Sequence, residues 1–226
     1  GAPYIAFEDG PLRSVRPGPS QAPMSLVMDR TGIYYRAGSG SDLVSLVASP
    51  DWFTPDLEDR ALGAVGALRR LKLSKYNSGL ERSPRELGLS EERRGQRILV
   101  LDQVRDDASI AGALADSDAF DRMLAATMAD DPTAEIVVKL HPDVLSGRRA
   151  GYFSELARNE RLTLVAEQVN PWSLMHAVDS VYTVSSGLGF EAVLAGKRVV
   201  TCASPFYAGW GFTEDRGLRI ERPRGA

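Results

Sequence analysis

The sequence predicts an α/β fold built on a Rossmann-like parallel sheet with helices on its faces. Three observations lead to this. From Arg97 onward, short strand-like runs alternate with stretches of helical period. Polar residues (Asp102, His141, Ser185 and Ser186) follow those runs directly, where open α/β sheets bind ligands. The 226 residues are 43% hydrophobic, enough for one substantial core or two small ones.

In chain order, residues 3–7 read as a short buried strand ending at Glu8-Asp9-Gly10. The Gly- and Pro-rich stretch "RSVRPGPSQAP" reads as an irregular loop. "MSLVMDRTGIYY" places two apolar runs around Asp29-Arg30-Thr31-Gly32 and predicts a β-hairpin. Helical spacing follows over 41–48 and 57–73. The polar, breaker-rich "SKYNSGLERSPRELGLSEERRGQ" reads as a linker between two halves. These boundaries predict two regions, residues 1–90 and residues 91–226.

In the second region "RILVLD" is a strand, followed by a loop and a helix over about 118–129. "AEIVVKL" is a strand, "GYFSELARN" a helix, "LTLVAE" a strand and "PWSLMHAV" a short helix. "SVYTV" is a strand, "FEAVLAG" a helix and "KRVVTC" a strand. There is no GxGxxG fingerprint, Walker loop or GxSxG elbow. There is also no internal repeat.

Composition narrows the function. A net charge of −3 with no dominant basic stripe argues against nucleic acid as partner. The single cysteine, Cys202, cannot form an internal disulfide and favours a reducing compartment. The sequence has no signal peptide and no apolar run of bilayer-spanning length, so a cytoplasmic location is expected. The lone cysteine, two distant histidines and absence of a ligand-spaced carboxylate cluster predict no metal site.

The strand ends carry the chemistry. Ser185 and Ser186 sit at a strand-to-helix turn, where hydroxyls, free N–H groups and the helix dipole suit a phosphate. Either serine also suits a plain N-cap. Glu191, one turn on, fits a ribose hydroxyl or a solvated helix face. His141 is aimed by Pro142, which restricts the backbone before it; a structural histidine is the alternative. Glu8 and Asp9 offer adjacent carboxylates for acid/base work, or a locally bonded acidic turn. Asp102 lies at the lip of the sheet, while Asp106 and Asp107 read as caps.

Taken in order, Glu8-Asp9-Gly10, His141-Pro142 and Ser185-Ser186 resemble a motif series of bacterial glycosyltransferases that use CMP-activated octulosonic or nonulosonic acids. The blocks "EDGPLRS", "LSKYN", "ILVLDQVRDDASI", "VKLHPDVLSGRRAGYF", "VSSGLGFEAVLAGKRVVT" and "PFYAGWGFTEDR" are similar to capsule polysaccharide biosynthesis proteins of the KpsC/LipB type. The resemblance runs from about Ile5 to Asp215. It implies a GT-B-like, retaining β-Kdo transferase with CMP-β-Kdo as donor and a Kdo-terminated glycolipid as acceptor. It implies Asp102 as nucleophile and Glu8 as acid/base. His141, Pro142, Ser185, Ser186 and Glu191 would hold CMP, and Asp9, Arg13, Lys75 and Gln103 would complete the substrate site. It further implies association with the cytoplasmic face of the inner membrane and with other capsule assembly proteins. Against the family pattern, the N-terminal Rossmann half is expected to be truncated. Two readings compete: an inverting CMP-sialic-acid-type transferase, in which Asp102 has no covalent role, and a CMP-sugar-binding fragment without turnover.

Overall fold

The computed structural model describes residues 4–18, 21–90, 92, 95–157 and 159–222. Its centre is a six-stranded sheet. The strands are β3 (Arg97–Leu101), β4 (Glu135–Lys139), β5 (Leu162–Val165), β6 (Ser180–Thr183), β7 (Arg198–Thr201) and β8 (Glu214–Asp215). They lie in the order β5-β4-β3-β6-β7-β8, and every neighbouring pair is parallel.

Alternation along the strands builds two cores. Ile98, Val100, Ile136 and Val138 pack on one face against Phe120 and Met123 of α4 (Asp118–Asp130). Leu99, Leu101 and Val137 pack on the other against Trp172, Leu174 and Met175 of α6 (Pro171–Ala177). All five residues of β3 are buried, including Arg97, whose Nε lies 2.5 Å from Glu135 Oε2. Helices on both faces are what an all-parallel sheet requires.

The order of the strands sets the position of the site. The chain runs outward from β3 through β4 to β5, then returns to place β6 on the other side of β3. Crossovers on either side of this point leave a crevice at the carboxyl ends of β3 and β6, the switch point where such sheets take ligands. Asp102 follows β3, and Ser185 follows β6 closely.

The first 73 residues hold a two-stranded ribbon, β1 (Ala6–Asp9) and β2 (Leu26–Asp29), and the helices α1 (Asp42–Ala48) and α2 (Pro55–Leu71). A short 3-10 turn, Pro50–Trp52, separates the helices. The ribbon corrects two expectations. Strand β1 extends through Glu8 and Asp9 instead of ending before them, and residue 3 lies outside the described residues. Strand β2 pairs antiparallel with β1, Ala6 facing Asp29, so the hairpin expected around 29–32 does not form. The Asp29 side chain explains this. It is 1% exposed, and its Oδ1 accepts from the N–H groups of Thr31, Gly32 and Asp42 at 2.9, 2.8 and 3.2 Å. The backbone donors a second strand would offer are spent on this Asx-type turn.

The helix expected over 151–159 is also absent among the described residues of that stretch. Tyr152 N–H donates to Asp102 Oδ1 at 2.9 Å, and the Tyr152 ring stacks on Phe120 with centroids 3.7 Å apart. Those tertiary bonds replace helical ones. Conversely, two short helices form where only loop was expected, α3 (Ala108–Gly112) and α5 (Pro142–Leu145). Helix α7 (Gly187–Leu194) begins earlier than its apolar run, because Ser186 caps it. A Cβ on Gly189 would fall 2.3 Å from Tyr207 Oη, so glycine is needed there for packing.

The polar segment after α2 packs onto the rest of the fold through residues 73–80. Ser14 bridges to Tyr76, Leu80 bridges to Val169, and Trp172 Nε1 donates to Leu73 O at 2.9 Å. It ties the ribbon to the sheet.

Candidate active site

A cavity of about 490 Å³ opens at the switch point. Its floor is formed by the strand ends: Asp102 and Gln103 after β3, Lys139 to Pro142 after β4, and Ser185 and Ser186 after β6. Its far wall holds Glu8, Tyr34 and Tyr35 from the ribbon side, with Ser74, Lys75 and Tyr76 from the connecting segment. Of the residues singled out from the sequence, Asp9 and Arg13 do not line it. Successive residues of β1 face opposite ways, and Asp9 Oδ2 instead takes a 2.6 Å ion pair from Arg13 Nε. Arg13 goes on to donate to Ser14 Oγ and Gly18 O, both at 3.0 Å, which braces the loop.

Asp102 is held tightly. It is 3% exposed, with Oδ1 bonded by Tyr152 N–H and Oδ2 buried without a hydrogen-bond partner. Burial pushes its carboxyl above the ordinary range, and the N–H groups of Tyr152, Gln103 and Phe153 partly offset this. A Cβ on Gly151 would fall 2.3 Å from Oδ2 and 2.9 Å from Val144 Cγ2, so the absent side chain makes room for the carboxylate.

Gln103 and Ser185 form a closed unit. Ser185 N–H donates to Gln103 Oε1 at 2.9 Å, and Gln103 Nε2 donates to Ser185 Oγ at 3.0 Å. Ser109 Oγ lies 3.1 Å from Ser185 Oγ, and Asp107 caps the helix that carries it, accepting from Ser109 N–H at 2.8 Å. Ser186 caps α7, its Oγ accepting from Leu188 N–H at 3.3 Å. Capping consumes one lone pair of that hydroxyl and leaves its proton to donate. Gly187, exposed at the start of α7, lines the cavity beside it.

His141 caps α5, its Nδ1 accepting from Asp143 N–H at 3.1 Å. With Nδ1 an acceptor, the neutral ring carries its proton on Nε2. Burial lowers the imidazole pKa, which keeps the ring neutral. Pro142 follows as the first residue of α5, where a missing N–H costs nothing.

Glu191 is partly buried, with its Oε2 enclosed, and burial pushes its carboxyl up to about 7. Its Oε1 accepts from Lys75 N–H at 3.1 Å, while Oε2 has no hydrogen-bond partner. The reading of Glu191 as a solvated helix residue is therefore set aside. Glu8 Oε1 accepts from Asp9 N–H at 3.0 Å. Burial first, and then the Glu8 charge, push the Tyr34 phenol up to about 12.

Sequence reasoning missed several cavity residues: Tyr34, Ser74, Tyr76, Lys139 and Arg149. Lys139 had a visible signal, as the charged end of the otherwise apolar run "IVVK". It is 7% exposed and donates to Leu140 O and Glu167 O, both at 2.9 Å; burial lowers its pKa to about 8. Among the described residues no three His, Cys, Asp or Glu side chains group so as to hold a metal ion. None of their helices is long and apolar enough to cross a membrane.

A six-stranded parallel sheet with helices on both faces, and carboxylates, a neutral imidazole and a serine-capped helix at its switch point, defines an α/β domain of the Rossmann-like class. The chain belongs to the capsule polysaccharide biosynthesis protein family, whose model matches residues 64–225. It is 40% identical to the capsule polysaccharide modification protein LipA of Neisseria meningitidis serogroup B over 221 residues, covering 97% of this chain and 31% of that protein. It is 37% identical to the lipopolysaccharide-processing protein LpsZ of Rhizobium meliloti over 224 residues, covering 98% of this chain and 50% of that one. The chain thus spans 31% and 50% of the length of these relatives. Among solved structures, the Thermosulfurimonas dismutans KpsC β-Kdo 2,4 transferase superposes with a TM-score of 0.91 at 42% identity, covering 99% of this chain and 68% of that one. The KpsC β-Kdo 2,7 transferase of the same organism gives 0.72 at 28% identity, over 98% and 65%.

Proposed function

We propose that the chain is the donor-binding part of a retaining β-Kdo transferase of GT-B type, which takes CMP-β-Kdo and builds the Kdo linker of a capsular polysaccharide on a glycolipid. The observation that carries this is the meeting of Glu8, Asp102, His141 and Ser186 around one cavity at the switch point. Similarity to the KpsC β-Kdo 2,4 transferase supports the sugar, and its margin over the 2,7 enzyme favours a 2,4-type linkage.

In this reading His141 Nε2–H, the Ser186 hydroxyl and the start of α7 hold the phosphate of CMP. Glu191 and Lys75 lie on the ribose side. Asp102 attacks the anomeric carbon; the bond to the phosphate oxygen breaks, and CMP leaves with the electron pair. Glu8 then takes the proton of the acceptor hydroxyl, whose oxygen displaces Asp102. Two displacements restore the original configuration. No metal is needed to bind CMP. The acceptor lies on the side of residues 1–90 and the donor on that of residues 91–226. The enzyme works at the cytoplasmic face of the inner membrane, beside other capsule assembly proteins.

One observation favours the inverting alternative: Asp102 Oδ2 is buried behind Gly151, closed to an incoming sugar in this rotamer. Intact mass after incubation with CMP-Kdo generated in place decides between them. Retention by covalent catalysis gives a Kdo adduct on Asp102; an inverting enzyme turns over without one. CMP binding with neither adduct nor transfer identifies a binding fragment. CMP binding that survives excess chelator is the companion result.

A further inference from the structure

We propose that Arg149 recognises the carboxylate of the donor sugar and so selects a ulosonic acid over a neutral sugar. This rests on the reading of the site given above. The cavity is short of positive charge for such a donor. Five carboxylates line it, Glu8, Asp102, Asp106, Asp107 and Glu191, against three cations, Lys75, Lys139 and Arg149. A CMP-ulosonic acid brings two anions, the phosphodiester and the sugar carboxylate. Each needs a specific partner in such surroundings.

The three cations are not equally placed to supply it. Lys139 has two of its three ammonium hydrogens committed, to Leu140 O and Glu167 O. Lys75 acts on His141 and Glu191, at the nucleotide end, and its Nζ lies 5.9 Å from the centre of the Tyr76 ring. Arg149 is exposed and spends one Nη2 bond on Arg105 O, at 2.9 Å. Among the described residues it makes no ion pair, whereas its neighbour Arg148 is paired with Asp143 at 3.0 Å.

The backbone next to Arg149 is clamped to the reacting end of the cavity. Arg105 N–H donates to Ala150 O and Arg105 Nε to Gly151 O, both at 2.9 Å. Val104 bridges to Gly151, which lies against Asp102 Oδ2, and Tyr152 N–H holds Asp102 Oδ1. The backbone that carries Arg149 is therefore held next to Asp102. In a ulosonic acid the carboxylate sits on the anomeric carbon itself. A carboxylate nucleophile approaching that carbon meets a like charge one bond away. A guanidinium there relieves the repulsion and matches the carboxylate with two parallel N–H bonds.

The test measures CMP affinity by titration and KM for CMP-Kdo generated in place, in the unsubstituted chain, Arg149→Met and Arg149→Lys. Arg149→Met should raise the donor KM by about tenfold or more, as loss of a charge-assisted pair implies. CMP affinity should stay within about twofold, because CMP lacks the sugar carboxylate. Arg149→Lys should recover part of the donor KM. Unchanged melting temperatures show that the fold survives. Two results overturn the proposal: CMP affinity falling in parallel with the donor KM, or neither quantity changing. If the unsubstituted chain fails to bind CMP, the reading of the whole site fails, and that is seen before any variant is made.

Discussion

The two sides of the cavity are built differently. On the sheet side, β3 has no exposed residue, and Leu99, Val100, Val137 and Val138 are fully enclosed. On the ribbon side, α1 and α2 contain no buried residue. Large apolar side chains there face outward, with Met24 79% exposed, Leu62 64% and Phe7 60%. The ribbon is held to the sheet by a few bonds: Arg13 N–H and Ser14 N–H to Lys75 O, Asn77 N–H to Val15 O at 2.8 Å, and Tyr34 edge-on to Phe206 at 5.1 Å. The groups proposed to hold the nucleotide and to attack the sugar thus lie on the sheet side, and Glu8 on the lightly held one. A group that must meet a variable acceptor gains from such a mounting; a group that must hold a phosphate does not.

The largest expected effect lies on the sheet side. Asp102→Asn keeps the shape of the side chain and its bond from Tyr152 N–H but removes the proposed nucleophile. Transfer should fall by at least about 10⁴-fold, as for other nucleophile deletions, with CMP titrating as before. Near-normal turnover would remove Asp102 from the covalent role and leave the inverting mechanism. On the ribbon, Glu8→Gln should slow transfer by about 10²–10⁴-fold. CMP affinity should not change, and the Asp102 adduct should accumulate in intact-mass spectra. If CMP affinity fell as well, the two sides would not be functionally separate.

How far this division is legible in the sequence depends on the kind of force involved. Strands β3, β4 and β6 were readable because each is a short apolar run between turn residues, and burial on both faces demands that. The strand-end positions of Asp102, His141 and Ser185 followed from those boundaries alone. What failed was local pattern overridden by tertiary bonding. Asp29 draws three N–H groups onto itself and abolishes a hairpin that its neighbours' apolar pattern predicts. Asp102 does the same to the expected helix after Gly151. Arg149 and Tyr34 went unnoticed because nothing in their own neighbourhoods distinguishes a cavity residue from a surface one.

Glu191 probes the boundary between the two sides, since its carboxyl on α7 receives Lys75 N–H from the connecting segment. Its pKa is raised by burial, from 4.5 to about 7. Below about pH 4.5 the group is neutral folded or unfolded and carries no penalty. As pH rises from there to about 7, the unfolded chain ionises first and the folded state loses stability, up to about 3 kcal/mol. Glu191→Gln keeps an oxygen for Lys75 N–H and cannot ionise. Urea denaturation should find it more stable than the unsubstituted chain by about 2 kcal/mol near pH 8, with most of the gain gone near pH 5. Equal differences at both pH values would show a packing effect with no charge buried.

The smallest effect separates two uses of a serine. Ser185 is bonded to Gln103 and Ser109, and Ser186 caps α7, so both have structural work without any ligand. Each hydroxyl still has a proton or lone pair to spare. A neutral bond contributes about 0.5–1.5 kcal/mol and a charge-assisted one about 1.5–3 kcal/mol. Changing both serines to alanine should therefore weaken CMP by at least about tenfold. Cytidine, which has no phosphate, should bind nearly as before. The cap on α7 should cost about 1 kcal/mol of stability in its own right, which melting curves separate from the binding loss. If CMP and cytidine weaken together, the serines only shape the start of α7. The phosphate would then rest on His141 and Gly187 without them.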